Sequence, residues 1–147
     1  MTDLRNFMEP SQIRIIPAGA TKQDALDLLI EALCRNPVIT DRDAFSKAVY
    51  ERESVQSTGI GGGVAVPHVR IAEVTSPTIA LGIAPDGVDF SALDNRPVQI
   101  IVLFATPKDA EKTYLSMLAK AMVTLRNRET FAALASCRTP EEVMALL

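Results

Sequence analysis

Within the stretch "RESVQSTGIGGGVAVPH", Arg52, Ser57 and Thr58 precede a cluster of glycines, and the stretch ends on His68. Four of the chain's 7 glycines (Gly59, Gly61, Gly62 and Gly63) fall in this cluster, and His68 is the single histidine. An imidazole of ordinary pKa, about 6.5, is largely neutral at pH 7 and has a free ring nitrogen. That nitrogen can attack phosphorus and form a reversible phosphohistidine. Phosphoryl transfer passes through a loose, charge-dispersed transition state, so a protein mainly positions the groups and stabilises anionic oxygens. Backbone N–H groups of a glycine-rich nest can do this, joined by the Ser57 and Thr58 hydroxyls and the Arg52 guanidinium.

Other chemistries fit the stretch less well. A phosphate-binding Walker loop needs a Lys after its glycines, and none follows these. The dinucleotide fingerprint begins with Gly59 and Gly61 but then meets Val64 where a glycine is required. One histidine and two distant cysteines, Cys34 and Cys137, make neither a metal site nor a disulfide framework, so no cofactor or metal is expected. Both thiols read as buried and unreactive. No nucleophile elbow accompanies Ser57. A plainer reading stays open on the residues alone: His68 packs in the core or on the surface, and Gly59 to Gly63 form a bulge or tight turn.

The positions of these residues depend on the elements around them. The 147-residue length suits one domain. Apolar residues make up 48% and charged residues 22%, the balance of a globular protein. A net charge of -3, 5% aromatics and no Trp give no nucleic-acid footprint. The longest apolar run, "IIVLFA", is far short of the ~20 residues of a membrane span. With no signal pattern at the N-terminus and no disulfide framework, a cytoplasmic location is expected.

"SQIRII" reads as a short strand. "ATKQDALDLLIEALCRNP" reads as a helix capped by Thr21 with Asp24, its face formed by Ala25, Leu28, Leu29, Ala32 and Leu33. A second helix starts near Asp41, with Ala44, Phe45, Ala48 and Val49 as its stripe and Arg52 near its end. "VAVPH" reads as a short strand-like piece. "TIALGIA" and "VQIIVLFAT" read as central strands covered on both faces, with another short strand around Val88–Phe90. A long helix follows with a seam of Leu115, Leu118, Met122 and Leu125, then a shorter one over "RETFAALASC". Thr139, Pro140 and Glu142 open the last, with a capping box. The order implies an α/β sandwich, a mixed β-sheet flanked by helices. Apolar stripes on several helices leave room for a homodimer.

"ERESVQSTGIGGGVAVPHVRI" closely resembles the phosphohistidine signature of type-2 enzyme IIA domains of the bacterial phosphotransferase system, the fructose/mannitol type and its nitrogen-regulatory relatives. "MEPSQIRI", "ATKQDALDLL" and "GVDFSALDNRPVQIIVLFATP" are similar to other parts of those domains. The resemblance spans residues 8–147 and leaves 1–7 as a short N-terminal extension. It implies the mixed sheet flanked by helices seen in that family and in cytoplasmic domains of anion transporters. It implies that His68 takes a phosphoryl group, on Nε2, from an HPr-like phosphocarrier and passes it to an enzyme IIB or signals through its phosphorylation state. Arg52, Ser57, Thr58, Gly59, Gly61 and Gly63 would surround the phosphate. The family commonly has a second histidine at the start of the long helix. Tyr114 stands there instead, either donating a hydrogen bond or merely packing. No fused IIB or membrane IIC segment is read in the chain, so a free-standing IIA is expected.

Overall fold

The computed structural model describes residues 3–147. Helix α1 spans Lys22–Cys34, and the predicted capping box is formed: the Thr21 hydroxyl accepts from the Asp24 N–H while the Asp24 carboxylate accepts from the Thr21 N–H. Helix α2, Arg42–Val55, starts on Asp41, whose carboxylate accepts from the Ala44 N–H. The buried face of α1 is Ala25, Leu26, Leu29, Ile30, Ala32 and Leu33. It is rotated from the expected one, with Leu28 only partly buried, because the helix lies between the sheet and α2 and needs a wider apolar arc than one stripe.

Among the described residues, six strands form one mixed sheet. They are β1 (Ile13–Ile15), β2 (Gly59–Gly61), β3 (Val64–Ala65), β4 (His68–Arg70), β5 (Thr78–Val88) and β6 (Val98–Thr106). The order is β1-β5-β6-β3-β2, with β4 also paired to β6. β5 and β6 are antiparallel, whereas β1 runs parallel to β5, and β3 and β4 run parallel to β6. The two apolar runs therefore occupy the middle of the sheet, as their composition implied. The expected strand around Val88–Phe90 does not form. β5 instead continues through an irregular stretch to pair Val88 with Val98.

Strand alternation sends side chains to two separate cores. Ala80, Ala84, Ile101, Leu103 and Ala105 meet α1 and α2 on one face. Ile79, Leu81, Ile83, Ile100, Val102 and Phe104 meet the other helices on the opposite face. Those helices are α3 (Glu111–Arg126), α4 (Arg128–Ala135) and α5 (Pro140–Leu146). The face of α3 turned to the sheet carries Met117, Ala121 and Leu125, with Tyr114 and Leu118 beside them. Leu115, expected in the seam, is 53% exposed. At the start of α5 only half of the expected capping box forms: Thr139 accepts from the Glu142 N–H, but the Glu142 carboxylate accepts from the Arg138 N–H. Leu4, within the segment expected to extend from the domain, is buried in the second core on a short 3-10 turn.

Candidate functional site

β4 begins at His68 directly after Pro67, which has no N–H for a sheet ladder. The Pro67 carbonyl accepts from the Phe104 N–H at 2.9 Å, and His68 then pairs in register with Phe104. That register puts the imidazole on the α3 side of the sheet, where its ring stacks on Tyr114. The centroids are 3.6 Å apart and the planes differ by 3°. Tyr114 is itself held edge-on by Phe104, 5.6 Å away. Nε2 of His68 lies 3.0 Å from Oγ1 of Thr106, the last residue of β6, which is fully buried.

A cleft of about 640 Å³ opens at this end of the sheet. His68, Arg52, Arg70, Glu51, Glu111 and Tyr114 line it, with Val55, Ile71 and Leu115 at its apolar parts. Arg52 reaches it from the last turn of α2, where its guanidinium also donates to the Gln56 carbonyl at 3.0 Å. Arg70 lies two residues along β4 and stands 3.7 Å from the Glu111 carboxylate. Burial first, then the positive charges of Arg70 and Arg52, push the His68 pKa down to about 4. The imidazole is therefore neutral at pH 7, as a nitrogen nucleophile must be.

This depression has a stability consequence. Between about pH 6.5 and about pH 4 the unfolded chain binds a proton at His68 that the folded chain refuses. The contribution is full above pH 6.5 and is lost as pH falls through that window. Urea unfolding at pH 7 and pH 4.5 is expected to show this acid loss in the wild type and a smaller one in His68→Gln. Equal losses in the two proteins would contradict the assignment.

The structure brings Arg52, His68 and Tyr114 together and places the other sequence-selected residues elsewhere. Gly59, Gly61 and Gly63 do not line the cleft. Gly62 and Gly63, both with positive φ (65° and 82°), close a two-residue turn between β2 and β3, the geometry of a type I′ hairpin. Gly62 faces open space, with no atom within 4 Å of where a Cβ would stand, whereas Gly59 and Gly63 are closely packed. A Cβ on Gly59 would lie 2.8 Å from the Ala92 side chain, and one on Gly63 2.9 Å from Phe131. The Gly62 N–H donates to Asp94 and the Gly59 N–H to the Ser57 hydroxyl. Ser57 in turn donates to the Phe90 carbonyl. Thr58 is buried, with its N–H and hydroxyl both on the Glu53 carboxylate. Ser57, Thr58 and Gly59, expected around the phosphate, are thus bonded within the protein beside the hairpin that leads into His68, and neither they nor Gly61 and Gly63 line the cleft.

Sequence reasoning did not select Arg70, Glu111 or Thr106. For Arg70 a signal existed: in a strand, positions i and i+2 share a face. For Glu111 and Thr106 none did, because their proximity to His68 depends on where α3 and β6 end. Among the described residues no cluster of His, Cys, Asp or Glu could hold a metal ion. Among them also, no helix is long and apolar enough to cross a membrane.

Residues 6–147 match the family model described as "Phosphoenolpyruvate-dependent sugar phosphotransferase system, EIIA 2". A fructose-specific EIIABC component of Bacillus subtilis is 32% identical over 86% of the chain, and the chain spans 20% of that protein's length. A fructose-specific EIIA component of Haloferax volcanii is 28% identical over 99% of the chain and 96% of its own length. Among solved structures, the nitrogen regulatory protein IIA-Ntr of Neisseria meningitidis superposes with a TM-score of 0.86 at 27% identity, covering 96% of each chain. The complex of enzyme IIAMtl with phosphorylated enzyme IIBMtl from Escherichia coli contains the same fold, at a TM-score of 0.78 and 19% identity over 95% of each chain.

Proposed function

The chain belongs to the phosphoenolpyruvate-dependent sugar phosphotransferase system EIIA 2 family, and from that premise we propose that it carries a phosphoryl group on His68. The donor in this reading is an HPr-like phosphocarrier, and the acceptor is an enzyme IIB. The protein acts in the cytoplasm as a transferase with a phosphohistidine intermediate. One observation carries the proposal: a neutral imidazole sits in an open cleft with two guanidinium groups, Arg52 and Arg70. Such a site can supply a nucleophile and then compensate the charge that arrives. Val55, Leu115 and Ile71 give the rim an apolar surface against which a carrier protein can dock.

Tyr114 supports a second reading, in which phosphorylation is a switch on a docking surface. Its ring lies flat on His68 at the position where the resemblance implies a second histidine. A phenol that stays protonated at neutral pH adds no charge for onward transfer; burial moves its pKa further up. In that reading the regulated protein replaces the enzyme IIB as partner.

The test is incubation with labelled phosphoenolpyruvate, enzyme I and HPr. An acid-labile, base-stable label is expected on the wild type and none on His68→Gln. An unlabelled wild type overturns the phosphocarrier reading. A chase with enzyme IIB then separates the two roles: rapid loss of label marks transfer, and retention marks signalling. Tyr114→His is expected to speed the chase where the wild type retains label. An unchanged rate would mean that the tyrosine is not what slows it.

A further inference from the structure

We propose that Thr106 is a positioning residue that fixes the reactive tautomer of His68. The inference rests on the phosphocarrier reading for its consequence, but its geometry is independent of that reading. Thr106 ends β6 and is 0% exposed. Among the described residues its hydroxyl has one hydrogen-bond partner, Nε2 of His68, at 3.0 Å. A hydroxyl always carries a proton, and burying that proton without an acceptor is unfavourable. Nε2 is the acceptor within reach, so Thr106 donates and Nε2 holds a lone pair. In the neutral ring the remaining proton is then on Nδ1.

The Tyr114 ring completes the arrangement. It covers one face of the imidazole at 3.6 Å and restrains rotation of the ring. It does not obstruct the ring plane, in which the Nε2 lone pair lies. Thr106 thus holds the lone pair on the nitrogen that reacts. In the transfer the Nε2 lone pair forms the new N–P bond while the phosphorus–nitrogen bond of the donor breaks. The departing electron pair stays on the donor's nitrogen, and His68 keeps its proton on Nδ1. Because phosphorus approaches along the lone pair that Thr106 holds, the Thr106 side chain must rotate off Nε2 as the N–P bond forms, and its hydroxyl can then donate to a phosphoryl oxygen.

The experiment exploits the chain's single histidine, whose ring signals need no assignment. Long-range 1H–15N spectra of the unphosphorylated protein at pH 7.5 report the tautomer directly. The wild type is expected to be mainly the Nδ1–H form. Thr106→Ser should keep that form, and Thr106→Val should shift the ring towards the Nε2–H form. Phosphorylation by phosphoramidate, a small donor needing no protein docking, should be about tenfold slower in Thr106→Val and near wild type in Thr106→Ser. A wild-type Nε2–H form overturns the proposal, as does a Thr106→Val protein unchanged in both tautomer and rate. Thr106→Ala serves if the valine variant does not fold. A wild type with the expected tautomer that takes no phosphate from either phosphoramidate or HPr would count against the phosphocarrier reading and leave the Thr106 assignment standing.

Discussion

Glu53→Ala is expected to lower folding stability by about 3 kcal/mol, the range seen when one partner of a buried charged pair is removed. In a chain of this size that lowers Tm by on the order of 10 °C. Glu53 is 7% exposed, and its carboxylate accepts twice from the Thr58 N–H, at 3.1 and 3.0 Å, and once from the Thr58 hydroxyl, at 2.7 Å. The Lys22 ammonium stands 3.5 Å from the same carboxylate and 4.7 Å from the centre of the Phe90 ring. Alanine leaves a buried N–H and a buried hydroxyl without their acceptor, and leaves a largely covered ammonium with the Phe90 carbonyl at 3.5 Å but no counter-charge. Glu53→Gln keeps one acceptor oxygen for Thr58 and loses the ion pair, so its cost should be roughly half. Thermal and urea unfolding of the three proteins measure both values. An alanine variant within 0.5 kcal/mol of wild type, the usual spread of neutral surface changes, would show that this carboxylate does not hold the hairpin. The effect reaches the site because Arg52 precedes Glu53 in the same turn of α2. Loosening that turn moves a cation of the cleft, so phosphorylation of His68 should slow even where the variant is still folded.

The Arg52–Glu53 pair also shows what can be read in such a sequence. The signature marked both residues and the spacing to His68, and the fold class followed from the order of helical and strand patterns. The direction of each side chain was a different matter. One residue along a helix is a turn of about 100°, which sends Arg52 into the cleft and Glu53 into the protein. The sequence assigns the glycines freedom but not a task. Gly62 and Gly63 use it to reverse the chain, and the Gly59 and Gly62 N–H groups are taken by Ser57 and Asp94. Leu115 was misplaced for a related reason. Its periodicity fits an apolar seam, yet α3 turns Tyr114, Met117 and Ala121 to the sheet and leaves Leu115 at the cleft. Thr106 carried no signal, because a threonine at the end of an apolar strand reads only as the end of that strand.

Arg52→Ala and Arg70→Ala are each expected to slow phosphorylation of His68 by about thirtyfold, the equivalent of roughly 2 kcal/mol for a charge-assisted hydrogen bond to phosphate. Both guanidinium groups border the same cleft as the imidazole, and both lower its pKa, Arg70 more than Arg52. Removing either should therefore raise the His68 pKa from about 4 towards 6.5, with the larger rise in Arg70→Ala. At pH 7.5 the ring stays neutral in every case, so a slower reaction reports lost phosphate stabilisation rather than protonation of the nucleophile. Glu111 acts in the opposite sense. It stands 3.7 Å from Arg70 and holds part of the guanidinium's charge. This exposed pair contributes little to folding, so Glu111→Gln should leave stability unchanged. It frees Arg70 for phosphate and should raise the rate a few-fold, an increase that disappears in the Arg70→Ala background. Single-turnover phosphorylation of the four variants by HPr, with His68 titrated by NMR, separates these effects. An arginine variant within threefold of wild type would remove that residue from the phosphate site. A Glu111→Gln gain that persists without Arg70 would mean that the carboxylate acts by repelling phosphate and not by occupying the guanidinium.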